Sequence, residues 1–273
     1  MRCTPLALLA LCLTALAGCA SSGSRLATAN ALDRVLASPE RPAADRARDA
    51  WRHPRQTLMF FGIRPSQTVI EIDPGTGWYL GVLAPLLRDT GRYIAALPPV
   101  PPEARGMARE RARLEAVLAA RPADFGRVER APFDPGKTEI VPAGTADLVL
   151  TFRNIHNWMA QDQAAAAFAD MFRVLKPGGV LGVVEHRGNP QVPQDPKARS
   201  GYVNQAYAIR LIESAGFRLV GVSEINANPR DSKDYPRGVW TLPPTYAEGD
   251  TDRARYEAIG ETDRFTLKFM KPR

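Results

Sequence analysis

The chain has 273 residues, 45% of them hydrophobic and 24% charged, a balance that builds a globular core and excludes a wholly disordered chain. Net charge is +7, but the basic residues are scattered, and the one dense stretch, Arg105 to Arg113, alternates with Ala, Met, Leu and Glu at helical spacing. That spacing predicts a solvated helix face and argues against a nucleic-acid partner; a mild attraction to anionic envelope polymers stays open.

The first segment has a different character from the rest. Arg2 precedes an apolar run from Leu6 to Ala17, the pattern of an export signal and too short to span a bilayer. Leu16-Ala17-Gly18-Cys19 resembles a bacterial lipobox, in which the cysteine is lipidated and becomes the new N-terminus. A plain cleaved signal peptide is the alternative. Either way the expectation is an exported, periplasm-facing protein: a signal over 1–19, a Ser/Gly/Ala tether over 20–29 and a single domain over 30–273. The anchor on Cys19 makes a membrane a partner. Ala20 and Ser21 lack the aspartate that retains enteric lipoproteins at the inner membrane, which favours the outer one. Cys3, Cys12 and Cys19 are the three cysteines, so the expected domain has no disulfide, cysteine nucleophile or cysteine metal ligand.

Helices are predicted over 30–37, 43–51 and 56–63, the last closed by Gly62. An apolar run, 68–72, reads as a buried strand and meets a turn of Asp73, Pro74, Gly75, Thr76 and Gly77. A helical pattern resumes at Trp78. Strand, glycine turn and helix open a nucleotide-type binding unit, because glycines admit close backbone approach and the helix start offers unpaired N–H groups. An ordinary corner with no ligand is the plainer reading. Further strands are predicted over 91–97, 127–131, 146–152, 180–185, 217–225 and 264–270, and helices over 102–121, 161–175 and 203–215. The last strand is expected to run antiparallel at the edge of the sheet. The 226–262 segment is too long for a hairpin and predicts an ordered insertion, either a lid or a brace. The pattern as a whole is that of a doubly wound α/β domain without internal repeats.

Glu71, four and six residues ahead of Gly75 and Gly77, distinguishes this turn from that of dehydrogenases, whose ribose-binding acid comes later. The stretch resembles the first motif of class I S-adenosylmethionine-dependent methyltransferases, acid-x-Gly-x-Gly-x-Gly. Arg173-Val-Leu-Lys-Pro-Gly-Gly179 before the fifth strand is also common in that family. With Arg153-Asn-Ile-His-Asn-Trp158, Glu185-His-Arg187 and Ser223 to Pro229, the chain is similar to predicted exported bacterial methyltransferase-like proteins over nearly its whole mature length. The resemblance implies a mostly parallel, seven-stranded Rossmann-like sheet and S-adenosyl-L-methionine as cofactor. It places Glu71, Asp73, Gly75 and Gly77 at the cofactor and gives Asp134 the adenine amino group. Two departures stand out: Asp73 occupies the first glycine position, and the second strand runs into Leu97-Pro98-Pro99 with no acid before Glu103.

In such sheets ligands bind beyond the carboxyl ends of the strands. Two of the three histidines, His156 and His186, fall there. His156 is the candidate base or substrate anchor, with His186 beside it and Glu185 fixing a histidine tautomer. Asn154 is a candidate for orienting the cofactor carboxylate, Asn157 the substrate, and Arg187 for holding an anionic substrate group. The plainer readings are a helix cap for His156, a satisfied rim residue for His186, and packing for His53, Trp158 and Trp240. His156, His186, Glu185 and Asp73 converging on a metal is a rival, but no local His-x-x-x-His spacing supports it and no metal is assigned. The expectation is a methyltransferase acting on a small molecule in the cell envelope. The alternative is an exported binding module for a metabolite or metal on the same fold.

Overall fold

The computed structural model describes residues 23–273; the expected signal, lipobox and Cys19 lie outside the described residues. Seven strands form one sheet: β1 (Thr68–Ile72), β2 (Arg92–Leu97), β3 (Glu129–Pro132), β4 (Ala146–Phe152), β5 (Leu175–His186), β6 (Arg218–Ser223) and β7 (Arg264–Met270). Their spatial order is β3-β2-β1-β4-β5-β7-β6. β1 pairs in parallel with both β2 and β4, so it is central and its apolar run is buried on both faces. Order reverses between β1 and β4, and a crevice opens there at the carboxyl ends.

The last strand is antiparallel, as expected, but it is not the edge. β7 lies between β5 and β6 and pairs with each. The reason lies in side-chain pattern: Phe265, Leu267 and Phe269 are fully buried, whereas β6 alternates and leaves Val220 and Val222 exposed. A strand apolar on its packed face and flanked on both sides gains more burial inside than at the rim.

Period-two alternation divides the core between the faces. Ile70, Ile72, Val149, Leu181 and Val183 pack on one side with the helices Ala164–Val174 and Gln205–Ser214, and Val69, Ala95, Leu148 and Leu150 pack on the other. The expected tether is helical from residue 23, in a helix over 23–36 (α1). Short helices α2 (Ala43–Arg46) and α3 (Asp49–Arg52) and the longer α4 (Pro54–Phe61) follow. They cap the carboxyl end of the sheet through Trp78 and Tyr79. The Trp78 indole donates to the Asp45 carbonyl at 3.1 Å, and the Tyr79 hydroxyl donates to the Arg52 carbonyl at 3.3 Å. Tyr79 stacks on Phe152 with centroids 3.5 Å apart.

The remaining helices are α5 (Leu80–Leu87), α6 (Arg105–Ala120), α7 (Pro122–Phe125), α8 (Ile155–Ala160), α9 (Ala164–Val174), α10 (Gln205–Ser214) and α11 (Arg253–Ile259). The 226–262 segment is ordered, with a 3-10 turn at Gly238–Thr241, α11, and a cluster in which its Tyr235, Val239, Leu242 and Tyr256 pack with Tyr202. It carries Trp240 and Pro243 to the crevice.

Candidate functional site

The turn after β1 is built from backbone that β-strands and helices cannot supply. Asp73, Gly75 and Gly77 have φ of 47°, 58° and 91°, all left-handed, which glycine adopts without penalty and aspartate tolerates. A Cβ on Gly75 would sit 3.1 Å from Glu110 Oε1, and one on Gly77 would sit 3.1 Å from Leu114 Cδ1. The glycines thus let α6 close over the turn. The Asp73 carboxylate folds back to accept the Gly75 N–H. Burial, then the neighbouring Glu110, pushes the Asp73 carboxyl up to about 6.

Two cavities meet at this turn and share Asp73, Gly75, Glu110 and Asn157. One, of about 480 Å³, runs under Leu97, Pro98, Met107, Phe133 and Trp158. The other, of about 470 Å³, contains Arg48, Arg52, Arg153, His156, His186 and Glu261. The first is largely apolar and the second is charged.

Glu71 points to the α5 side of the sheet, where it is 2% exposed and accepts the Tyr93 hydroxyl at 2.5 Å. Burial pushes its carboxyl up to about 8, against the Tyr93 bond that lowers it. At neutral pH it therefore keeps a proton that the unfolded chain releases. Stability linked to Glu71 is complete below the unfolded pKa near 4.5 and is lost as pH rises toward about 8. Glu71→Gln removes that dependence. Melting curves from pH 5 to 9 should show the variant gaining on the native chain as pH rises, on the order of a few kcal/mol at the alkaline end. Equal slopes for the two proteins would contradict the assignment.

The strongest constellation is Glu185 with the start of α8. Glu185 is fully buried at the end of β5. Its Oε2 accepts the Ile155 N–H at 2.6 Å, with the His156 N–H at 3.4 Å. Its Oε1 accepts the His186 N–H at 2.8 Å and lies 3.1 Å from His156 Nδ1. A carboxylate so placed only accepts, so Nδ1 of His156 carries the hydrogen and Nε2 is the basic nitrogen. The helix cap that sequence offered to His156 is supplied by Glu185 instead. His186 Nδ1 is 2.6 Å from Thr262 Oγ1. Burial, then His156 and nearby arginines, holds the His186 pKa well below its ordinary value, so this ring is neutral. The two rings lie 5.4 Å apart, and Trp240 meets His156 edge-on at 5.8 Å.

Other expected site residues fall variously. Asn154 turns its amide toward the backbone, donating to Ile72 O at 2.9 Å and Asp73 O at 3.3 Å, and so ties β4 to the turn. Asn157 is exposed between the cavities. Asp134 lines the apolar cavity, with Gln163 Nε2 at 3.5 Å and Lys137 Nζ at 3.3 Å. Arg187 lies outside the cavity lining: it pairs with Glu224 at 2.6 Å and its Nη2 donates to Arg264 O at 3.2 Å. It lies just past the end of β5, where Glu224 and the Arg264 carbonyl hold its guanidinium away from the cavity. Ligand atoms of His156, Glu185 and His186 lie within 4.8 Å of one another, and Asp73 is not in that group. The Glu185 oxygens there are already taken by N–H donors.

Sequence reading missed the arginines. Arg48 arrives from the turn before α3, Arg52 from α3, Arg153 from the β4 end with φ of 65°, and Arg264 from the start of β7. They surround Glu261, which lies 2.7 Å from Arg48 Nε, 3.4 Å from Arg52 Nε and 3.1 Å from Arg264 Nη1. Burial opposes ionisation of Glu261, but the guanidiniums of Arg264, Arg52 and Arg48 hold its carboxyl well below the usual range. Only Arg153, in the singled-out motif after β4, carried a sequence signal.

A doubly wound sheet with an antiparallel seventh strand and a glycine cradle after β1 defines the class I methyltransferase fold. Residues 70–183 match the Methyltransf_11 family, described as a methyltransferase domain. The ubiquinone/menaquinone biosynthesis C-methyltransferase UbiE of Salmonella arizonae is 29% identical over 181 residues, covering 66% of this chain and 62% of that protein. For UbiE of Escherichia coli K12 / DH10B the figures are 29% over 148 residues, 54% and 53%. The chain thus spans between about half and six tenths of these relatives. A SAM-dependent methyltransferase from Aquifex aeolicus superposes with a TM-score of 0.52 at 18% identity, over 82% of this chain and 93% of that one. The [4+2]-cyclase SpnF superposes with 0.53 at 18%, over 86% and 85%. The shared fold therefore does not by itself set the reaction. The domain match over residues 70–183 and the methyltransferase relatives show a methyltransferase-type domain in this part of the chain and support S-adenosylmethionine as its cofactor.

The cavities fit that cofactor. An apolar slot of about 480 Å³ suits a nucleoside, and it joins the polar cavity across the Gly75 turn. Glu110, from α6, brings a carboxylate to the region where β2 ends without one.

Proposed function

We propose that this chain transfers a methyl group from S-adenosylmethionine to a small molecule in the cell envelope. The observation that carries the reading is the meeting of an apolar slot and a charged cavity at the Gly75 turn, with His156 in the charged one. Phe133, Asp134 and Trp158 form the nucleoside wall, and Gly75 and Gly77 let the backbone pass close to the amino-acid moiety. Asp73, which lines both cavities, would hold that moiety's ammonium group. The bound cofactor supplies an electrophilic methyl. His156 Nε2 takes the proton of an acceptor O–H or N–H, Glu185 holds its ring, and the neutral His186 borders the acceptor. The helices α2 and α3 and the Trp240 loop keep water out. Asn154 acts by positioning the turn, and Asn157 reaches both ligands.

In this reading the chain is exported by its N-terminal signal as a single domain over 30–273, and a lipid on Cys19 tethers it to a membrane, the outer one preferred. Ionised Asp73 favours a cationic ligand, so affinity is full above about pH 6 and falls below it. Glu110 and Arg111 of α6 and Glu71 of β1 also bear on this group. Calorimetric titration with S-adenosylmethionine should show binding weakening several-fold from pH 7 to pH 5, on the scale set by one charge contact. Asp73→Asn should bind with little pH dependence. A native profile as flat as the variant's would remove Asp73 from the cofactor.

One observation favours a second reading, an exported module that holds a metal: the clustering of His156, Glu185 and His186 ligand atoms within 4.8 Å. Metal analysis of the purified chain separates the two. Stoichiometric zinc, manganese or iron that resists dialysis and is lost in His186→Ala would favour the module.

A further inference from the structure

The charged cavity is polarised. Its turn end carries the carboxyl groups of Asp73 and Glu110, with Arg113 of α6 also in the lining. Its far end carries Arg48, Arg52 and Arg153, with Arg264 behind them, against the carboxylate of Glu261 and the carboxyl of Glu71, which keeps its proton at neutral pH. Guanidinium stays protonated at any pH near neutral, so this end holds a surplus of fixed positive charge. Two donors confirm that the surplus is unspent. Arg52 is 2% exposed, and its Nη1 is buried without a hydrogen-bond partner among the described residues. The same holds for Arg48 Nη2. A buried unpaired donor on a charged group is costly unless a ligand satisfies it. The environment agrees: burial, then Arg153, lowers the Arg52 pKa well below its usual value. Arg52 is held in place by Glu261 through Nε at 3.4 Å and by Trp78, whose ring lies 4.6 Å from its guanidinium carbon.

We infer that Arg48, Arg52 and Arg153 bind an anionic oxygen group, a carboxylate or phosphate, on the methyl acceptor. This rests on the methyltransferase reading above and names its substrate class. The planar fork of arginine matches two oxygens of either group. The polarity of the cavity assigns the anion to the acceptor: the turn end suits the cationic part of the cofactor, and the arginine end lies toward α3 and the Trp240 loop. Bound there, the acceptor's remaining atoms extend toward His156 in the same cavity. The role that sequence gave to Arg187 thus passes to Arg48, Arg52 and Arg153.

The test is calorimetric titration of the full chain, saturated with S-adenosylhomocysteine, with inorganic phosphate and with acetate. Saturable binding of one of them is expected, weakened at least about tenfold in Arg52→Gln, as loss of a charge-assisted pair requires. Arg48→Gln, at a side chain 24% exposed, gives the same readout should Arg52→Gln fold poorly. S-adenosylhomocysteine binding without saturable anion binding overturns the inference and leaves the methyltransferase reading intact. If the arginine variants lose S-adenosylhomocysteine but keep 5′-methylthioadenosine, which lacks the amino-acid moiety, the arginines serve the cofactor carboxylate and the inference fails. Failure of S-adenosylhomocysteine to bind the native chain removes the reading on which the inference stands.

Discussion

Glu261→Ala is expected to destabilise the protein by roughly 3–5 kcal/mol, the range for removing one partner of a buried ion pair. Glu261 is 4% exposed and is the one carboxylate among the guanidiniums of Arg48, Arg52 and Arg264. Without it, at least three charges from α3, the preceding turn and β7 repel one another with no counter-ion. The N-terminal helices are held on the sheet partly by this contact, since Arg48 and Arg52 belong to them and Glu261 to the segment before β7. The fall in melting temperature should be about 6–20 °C for a domain of this size. Glu261→Gln should lose less, because its amide oxygen still accepts. Added phosphate should recover part of the loss in Glu261→Ala, by filling the same charge deficit. Thermal melts with and without phosphate decide this, and a loss below about 1 kcal/mol would show that the arginines tolerate one another.

The second large effect is expected at Glu185. Three backbone N–H groups, of Ile155, His156 and His186, point at its two oxygens, as does His156 Nδ1. Glu185→Ala leaves these donors buried and unpaired, at about 1–3 kcal/mol each, so a loss of at least about 3 kcal/mol follows. Glu185→Gln is instructive because its amide nitrogen cannot accept. One oxygen survives, so the loss should be smaller, but His156 is no longer fixed with its hydrogen on Nδ1. Nitrogen chemical shifts of the imidazole should report a single tautomer in the native chain and a mixture in Glu185→Gln. A native mixture would mean that Glu185 caps α8 without orienting His156.

Much of the fold could be read from the sequence because its signals were local. Apolar runs and glycine stops placed the seven strands, and Glu71 with Gly75 and Gly77 placed the crevice. What was misplaced depended on tertiary partners. β7 was expected at the edge, yet its continuous burial between β5 and β6 follows from pairing that no short window reveals. The tether was expected from its Ser, Gly and Ala content, but residues from 23 onward are helical. At the site, β-strand ends announced His156, Glu185 and His186, whereas Arg48, Arg52 and Arg264 come from segments more than 200 residues apart in the chain. Arg187 adjoins Glu185 and His186 in sequence, but its guanidinium is held by Glu224 and the Arg264 carbonyl, partners that no short window reveals.

We propose that the Gly75 turn cradles S-adenosylmethionine although Asp73 replaces a glycine and β2 ends without an acid. The most direct test is calorimetric titration of the full chain with S-adenosylhomocysteine, alongside Gly75→Val. Gly75 has a φ of 58° and no room for a branched side chain beneath Glu110, so the variant should close the passage between the two cavities. Micromolar binding by the native chain, lost in Gly75→Val, is the predicted result. No heat of binding up to millimolar ligand in the folded native chain would contradict it.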